Sequence, residues 1–103
     1  MAVKTIAGAQ VNVSEEGYLE DMSQWNEDIA KEIASEVNIE LTDKHFEVLN
    51  YLREKTAAGE ALSIRSVGKS GIIDVKGLYK LFPKGPLKFS SKIAGIPKPS
   101  SCI

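Results

Sequence analysis

Residues 25–37 read Trp-Asn-Glu-Asp-Ile-Ala-Lys-Glu-Ile-Ala-Ser-Glu-Val. Ile29, Ile33 and Val37 recur every fourth position, and Trp25, Ala30 and Ala34 widen the stripe. That period belongs to an amphipathic helix with one apolar face. Ser23 is the expected N-cap, with Glu27 and Asp28 near the positive end of the helix dipole. Asn38 is the expected stop. A second helix begins after Thr42, a good N-cap, and carries Phe46, Val48, Leu49 and Leu52 inward. It is expected to end near Ala57-Ala58-Gly59, where glycine accepts a left-handed conformation.

Upstream of these helices, Val3, Ile6, Val11 and Val13 favour strand, and Gly8 supplies a turn between them. A two-stranded hairpin is marginal alone and must pack on the helices. Downstream, Ser63 and Asp74 are N-cap candidates for two short helices over Ile64–Lys69 and through Leu78, Leu81 and Phe82. Pro83 stops the second. Gly85-Pro86 is a turn, and one or two helical turns follow over Leu87–Ile93. Residues 95–103 read Gly-Ile-Pro-Lys-Pro-Ser-Ser-Cys-Ile. Prolines at alternate positions favour an extended, polyproline-like arm there. The residues therefore predict a mostly helical α+β chain with a small N-terminal hairpin and a C-terminal arm.

The 103 residues, 43% hydrophobic and 26% charged, fit one folded domain and argue against general disorder. No apolar run reaches the roughly 20 residues of a membrane span. Met1–Gln10 offers only short apolar stretches around Lys4, a poor fit to a secretory leader. The one cysteine cannot close an internal disulfide, and the expected compartment is the reducing cytoplasm. Residues 1–60 carry a formal charge of −8 and residues 61–103 carry +7. The reading we favour is mutual attraction and solvated surface; the other is a basic face for RNA or an acidic protein.

One Cys and one His cannot build a four-ligand zinc site, so no metal is expected. His45 is expected at the surface or boundary of the fold. Gly68-Lys69-Ser70 lacks the earlier glycine of a phosphate loop. Cys102 is the exception to this quiet inventory. It follows a Pro-x-Pro arm near the end of the sequence, where a buried structural thiol is hard to justify. Gly95 can act as hinge while Pro97 and Pro99 stiffen the arm, which spans at most about 25 Å from Gly95 to Cys102. Such an arm can carry a thiol into a partner's active site. Arg65, a lysine or the partner would have to supply the positive surroundings a thiolate needs.

Residues 78–86 (Leu-Tyr-Lys-Leu-Phe-Pro-Lys-Gly-Pro), residues 92–99 (Lys-Ile-Ala-Gly-Ile-Pro-Lys-Pro) and Cys102 closely resemble the DsrC/TusE family of small sulfur carriers. Glu16-Gly17-Tyr18-Leu19, Trp25, Leu41-Thr42, Leu52-Arg53 and Ile64-Arg65 match as well. The resemblance implies a hairpin packed on a helical bundle, a helix-turn-helix-like second half, a globular part over residues 1–94 and a mobile arm over 95–103. It also implies a persulfide carried on Cys102, with no other cofactor. The sulfite-reductase-linked members have a second cysteine where this chain has Ser91, so their two-cysteine cycle is excluded here.

The expected function is therefore a sulfur relay of sulfurtransferase type. Cys102 would take persulfide sulfur from an upstream relay complex and pass it to a tRNA-thiolating enzyme for 2-thiouridine synthesis. Arg65 and Lys84 are candidates to dock the tail or stabilise its thiolate. The alternative is a single-cysteine DsrC-like protein working with dissimilatory sulfite reductase subunits or in sulfur oxidation. A nucleic-acid-binding module using Arg65, Lys69, Lys76 and Lys80 ranks below both, and no membrane partner is expected.

Overall fold

A computed structural model describes residues 2–60, 62–83 and 85–97. Two strands, β1 (Ala2–Ile6) and β2 (Ala9–Val13), form an antiparallel hairpin pairing Ala2 with Val13 and Ile6 with Ala9. Ala7 and Gly8 connect them, both with positive φ, as a two-residue hairpin turn requires. Ile6, Val11 and Val13 are buried, so one face of the ribbon lies on the helices. Glu32 of the first helix accepts a hydrogen bond from the Ala7 amide at the turn. Leu19 bridges to Val13 and carries the chain back into the core beside Tyr18.

Five helices follow: α1 (Glu27–Glu36), α2 (Asp43–Ala57), α3 (Ile64–Gly68), α4 (Val75–Leu81) and α5 (Pro86–Ile93). The apolar stripe of α1 buries Ile29, Ala30, Ile33 and Ala34, as its period requires. Asn38 ends it in the left-handed region, where an asparagine is tolerated. Asp74 caps α4 by accepting from the Gly77 amide, and Ser63 caps α3 by accepting from Ser66. The expected hairpin and helical order are both present. No helix among the described residues is long and apolar enough to cross a membrane.

The start of α1 differs from the sequence expectation. Ser23 lies in a single 3-10 turn, Met22–Gln24, capped by Asp21. Asn26 is the N-cap of α1 and accepts from the Ile29 amide at 2.9 Å. Trp25 stands between them with extended backbone and belongs to no helix. Its indole bonds to the far end of the chain, a tertiary contact that no local period reveals.

His45 also departs from expectation, because it is 5% exposed. It sits in the first turn of α2, where Nδ1 accepts from the Thr42 backbone amide at 3.1 Å. Nε2 lies 3.1 Å from the Leu81 carbonyl, and the ring meets Phe82 edge-on at 5.2 Å. Both bonds together require a neutral ring carrying its proton on Nε2. His45 thus ties the start of α2 to the end of α4.

Helix α5 is the centre of the bundle and packs against α1, α2 and α4. Pro86 starts it at a position where no amide donor is missed. Leu87, Ser90, Ser91 and Ile93 are all fully buried. Ser90 returns its hydroxyl to the Leu87 carbonyl at 3.2 Å. The Ser91 hydroxyl has no hydrogen-bond partner among the described residues.

These two buried polar side chains should respond oppositely to truncation. His45→Ala is expected to lose about 2–3 kcal/mol, from a cavity and an unpaired Leu81 carbonyl. Ser91→Ala removes only an unsatisfied hydroxyl and should leave stability unchanged or raise it by about 1 kcal/mol. Urea unfolding of both variants checks this; a Ser91→Ala loss as large as that of His45→Ala contradicts the assignment.

Candidate functional site

The last four carbonyls of any helix lack partners within it, and a buried end must find donors elsewhere. At α5 the accounting closes. Ser90 O accepts from Ala94 N at 2.8 Å, Ser91 O from Ile96 N at 3.3 Å and Lys92 O from Gly95 N at 3.2 Å. The last two bonds form a Schellman motif, with Gly95 at φ +69° as its left-handed residue. Three carbonyls then remain, on Ile93, Ala94 and Gly95, and two side chains from distant segments serve them.

The Trp25 indole N–H donates to Ile93 O at 2.8 Å. Arg53 Nη1 donates to Ala94 O at 2.9 Å and reaches Gly95 O at 3.4 Å. Its Nη2 donates to Met22 O at 2.8 Å, in the 3-10 turn before Trp25. The guanidinium also lies 4.4 Å over the Trp25 ring. One planar cation therefore joins α2, the approach to α1 and the end of α5, in a fork that lysine cannot reproduce. Desolvation by burial pulls its pKa below the ordinary arginine value, but a guanidinium stays charged. That charge also complements the negative end of the α5 dipole.

Gly95 is packed rather than free. A Cβ there would overlap the Trp25 ring, and the left-handed backbone independently disfavours a side chain. Ile96 is fully buried, and Pro97 is exposed. Gly95 and Ile96 are thus packed in the body, and the first exposed residue after α5 is Pro97, two residues past the glycine that sequence marks as a hinge. Arg65 is exposed on α3, and among the described residues no hydrogen bond joins it to Gly95 or Pro97. Lys84, Pro99 and Cys102 lie outside the described residues.

Arg53 is the residue that sequence reasoning passed over, noting it only as part of a matching pair. Its signal was position. It stands four residues after Leu49 and next to Leu52, beside the buried stripe of a helix, where a cation needs partners. No cluster of three metal-ligating side chains occurs among the described residues. A cleft of about 460 Å³ lined by Ser35, Asn38, Ile39 and Leu41 lies at the end of α1 remote from Trp25. It shares no residue with the arm root. The arrangement around Gly95 anchors the end of α5 to α2 and to the approach to α1.

Comparison with known proteins gives that anchor a context. The family described as DsrC like protein matches residues 5–103. Sulfurtransferase TusE of Salmonella typhimurium (strain LT2) is 40% identical over 106 residues, covering 93% of this chain and 95% of that protein. The solution structure of Allochromatium vinosum DsrC superimposes with a TM-score of 0.80 at 37% identity, covering 99% of this chain and all of that one. The oxidised gamma-subunit of dissimilatory sulfite reductase (DsrC) from Archaeoglobus fulgidus gives 0.80 at 32% identity, again over 99% and 100% of the two chains. With nearly the whole sequence matched and the same fold, the chain belongs to the DsrC-like family.

Proposed function

We propose that this protein is a single-cysteine sulfur-relay carrier of sulfurtransferase type, with Cys102 as the sulfur-bearing residue. The observation that carries this reading is the cysteine count: one, in a chain 40% identical to a sulfurtransferase TusE. Ser91, in the buried face of α5, offers no thiol with which Cys102 could form an internal disulfide.

The chemistry is exchange at sulfane sulfur. The Cys102 thiolate attacks the outer sulfur of a donor persulfide, a new S–S bond forms on Cys102, and the donor leaves as a thiolate. An acceptor thiolate then attacks the outer sulfur of the Cys102 persulfide, and Cys102 leaves as a thiolate. Electrons balance within each step, so no external oxidant or reductant is needed. Rates follow thiolate fraction and access. Residues 97–103 form the presenting arm, stiffened by Pro97 and Pro99, with the globular part behind it. Arg65 and Lys84 are proposed to dock the arm or favour its thiolate. The donor is an upstream sulfur-relay complex and the acceptor a tRNA-thiolating enzyme, in a reducing cytoplasm that preserves the free thiol.

A second reading keeps the carrier chemistry and changes the partner. Likeness to the Archaeoglobus gamma-subunit favours association with dissimilatory sulfite reductase or a sulfur-oxidising pathway. Co-purification separates the two: reductase subunits support the second, relay and tRNA-thiolation proteins the first.

Incubation with a persulfide donor should add about 32 Da, one sulfur atom, to the intact chain, and a thiol acceptor should remove it. Cys102→Ser should abolish the gain completely. A Cys102→Ser protein that still gains sulfur contradicts the assignment.

A further inference from the structure

We propose that the exposed face shared by α3 and α4 docks an acidic protein surface. On α4, Val75 and Tyr79 stand one turn apart and are 40% and 48% exposed. Together with Val3 they are the large exposed hydrophobics among the described residues, so two of the three share one short helix. Lys76 and Lys80 repeat the same spacing beside them, both exposed. Arg65 and Lys69 form a third such pair, exposed on α3 and at its C-cap. Gly68 brings that pair alongside α4. A Cβ at Gly68 would overlap the Val75 side chain, so the two helices touch there. Val75 therefore lies between cations from both helices.

Charge decides what fits this face. Lys4, Lys44 and Lys55 each pair with a glutamate. Among the described residues no ion pair or hydrogen bond holds the side chain of Arg65, Lys69, Lys76 or Lys80. Asp74 is the one acidic residue between positions 61 and 103, and its carboxylate accepts from the Gly77 amide at 2.7 Å as the α4 cap. The acidic first half of the chain thus leaves this face positive, and a negative surface is drawn to it. Val75 and Tyr79 select among negative surfaces. A nucleic acid rewards cations and aromatic stacking, and a branched aliphatic side chain at the centre of the face offers it neither. A protein interface has an apolar, aromatic centre and a polar rim, and charges at the rim steer the encounter. The partner that fits is a protein with an apolar spot ringed by Asp and Glu.

The test places the photo-crosslinker p-benzoyl-phenylalanine in place of Tyr79, in the full chain and in the cells that make it. The same group in place of Val3, which is 64% exposed on the hairpin, is the control. Position 79, and not position 3, should yield an adduct with a protein other than this chain. Mass spectrometry should find the joined peptide richer in Asp and Glu than in Lys and Arg. Combining Lys76→Glu with Lys80→Glu should cut the yield of that adduct by about fivefold or more, because reversed rim charges repel such a surface. Lys76→Gln with Lys80→Gln should cut it less, and serves if the reversed pair fails to fold. An adduct with RNA assigns the face to nucleic acid, and one with a second copy of the chain makes it a self-contact; either overturns the proposal. So does a joined peptide that is not acidic, a yield that neither pair of substitutions moves, or no adduct beyond that of the control.

Discussion

A buried helix end must give every carbonyl a donor, and at α5 that requirement organises the molecule. The helix is central, so its final carbonyls cannot turn to water. Trp25 and Arg53 meet the demand, and meeting it fixes three other things. The chain is held extended before α1, so that helix starts at Asn26. Position 95 must be glycine, because ring and backbone leave no room for a Cβ. Gly95 and Ile96 are held in the buried body, with Pro97 exposed next to them. Removing the indole or the guanidinium leaves buried carbonyls unpaired, a cost of about 1–3 kcal/mol for each group.

The same constraint separates what sequence could show from what it could not. The α1 stripe, the Thr42 start, the Asn38 stop, the Asp74 cap and the hairpin about Gly8 are local patterns, and each is present in the structure. Trp25 and His45 are different. Both look like ordinary members of a helical stretch, and both are decided by partners 68 and 36 residues away, Ile93 and Leu81. Hydrophobic period carries no information about such pairs. Arg53 was half legible: a cation beside a buried stripe implies partners, but nothing in the sequence says that they are backbone carbonyls at the arm root. The family, in contrast, was legible in the sequence, because Lys-Ile-Ala-Gly-Ile-Pro-Lys-Pro followed by Cys102 is a specific string, and the family model matches residues 5–103.

The division of labour in the protein follows. Among the described residues no group of three metal-ligating side chains occurs, and Trp25 and Arg53 converge on the end of α5. The residue proposed to bear sulfur, Cys102, follows Pro97 by five positions in the sequence. A carrier benefits from that separation: the body gives the partner a fixed surface, and the thiol enters the partner's own chemistry, where donor and acceptor sulfurs are activated. Serine at position 91 completes the logic, since a second thiol at the base of the arm would compete for the sulfur in transit.

The most direct test follows labelled sulfur. The protein is loaded on Cys102 with ³⁵S, freed of donor, and added to an extract depleted of the endogenous carrier. The account predicts label in 2-thiouridine of tRNA, with loss of label from the protein at a matching rate. Label that stays on the protein, or leaves only as sulfide, contradicts it.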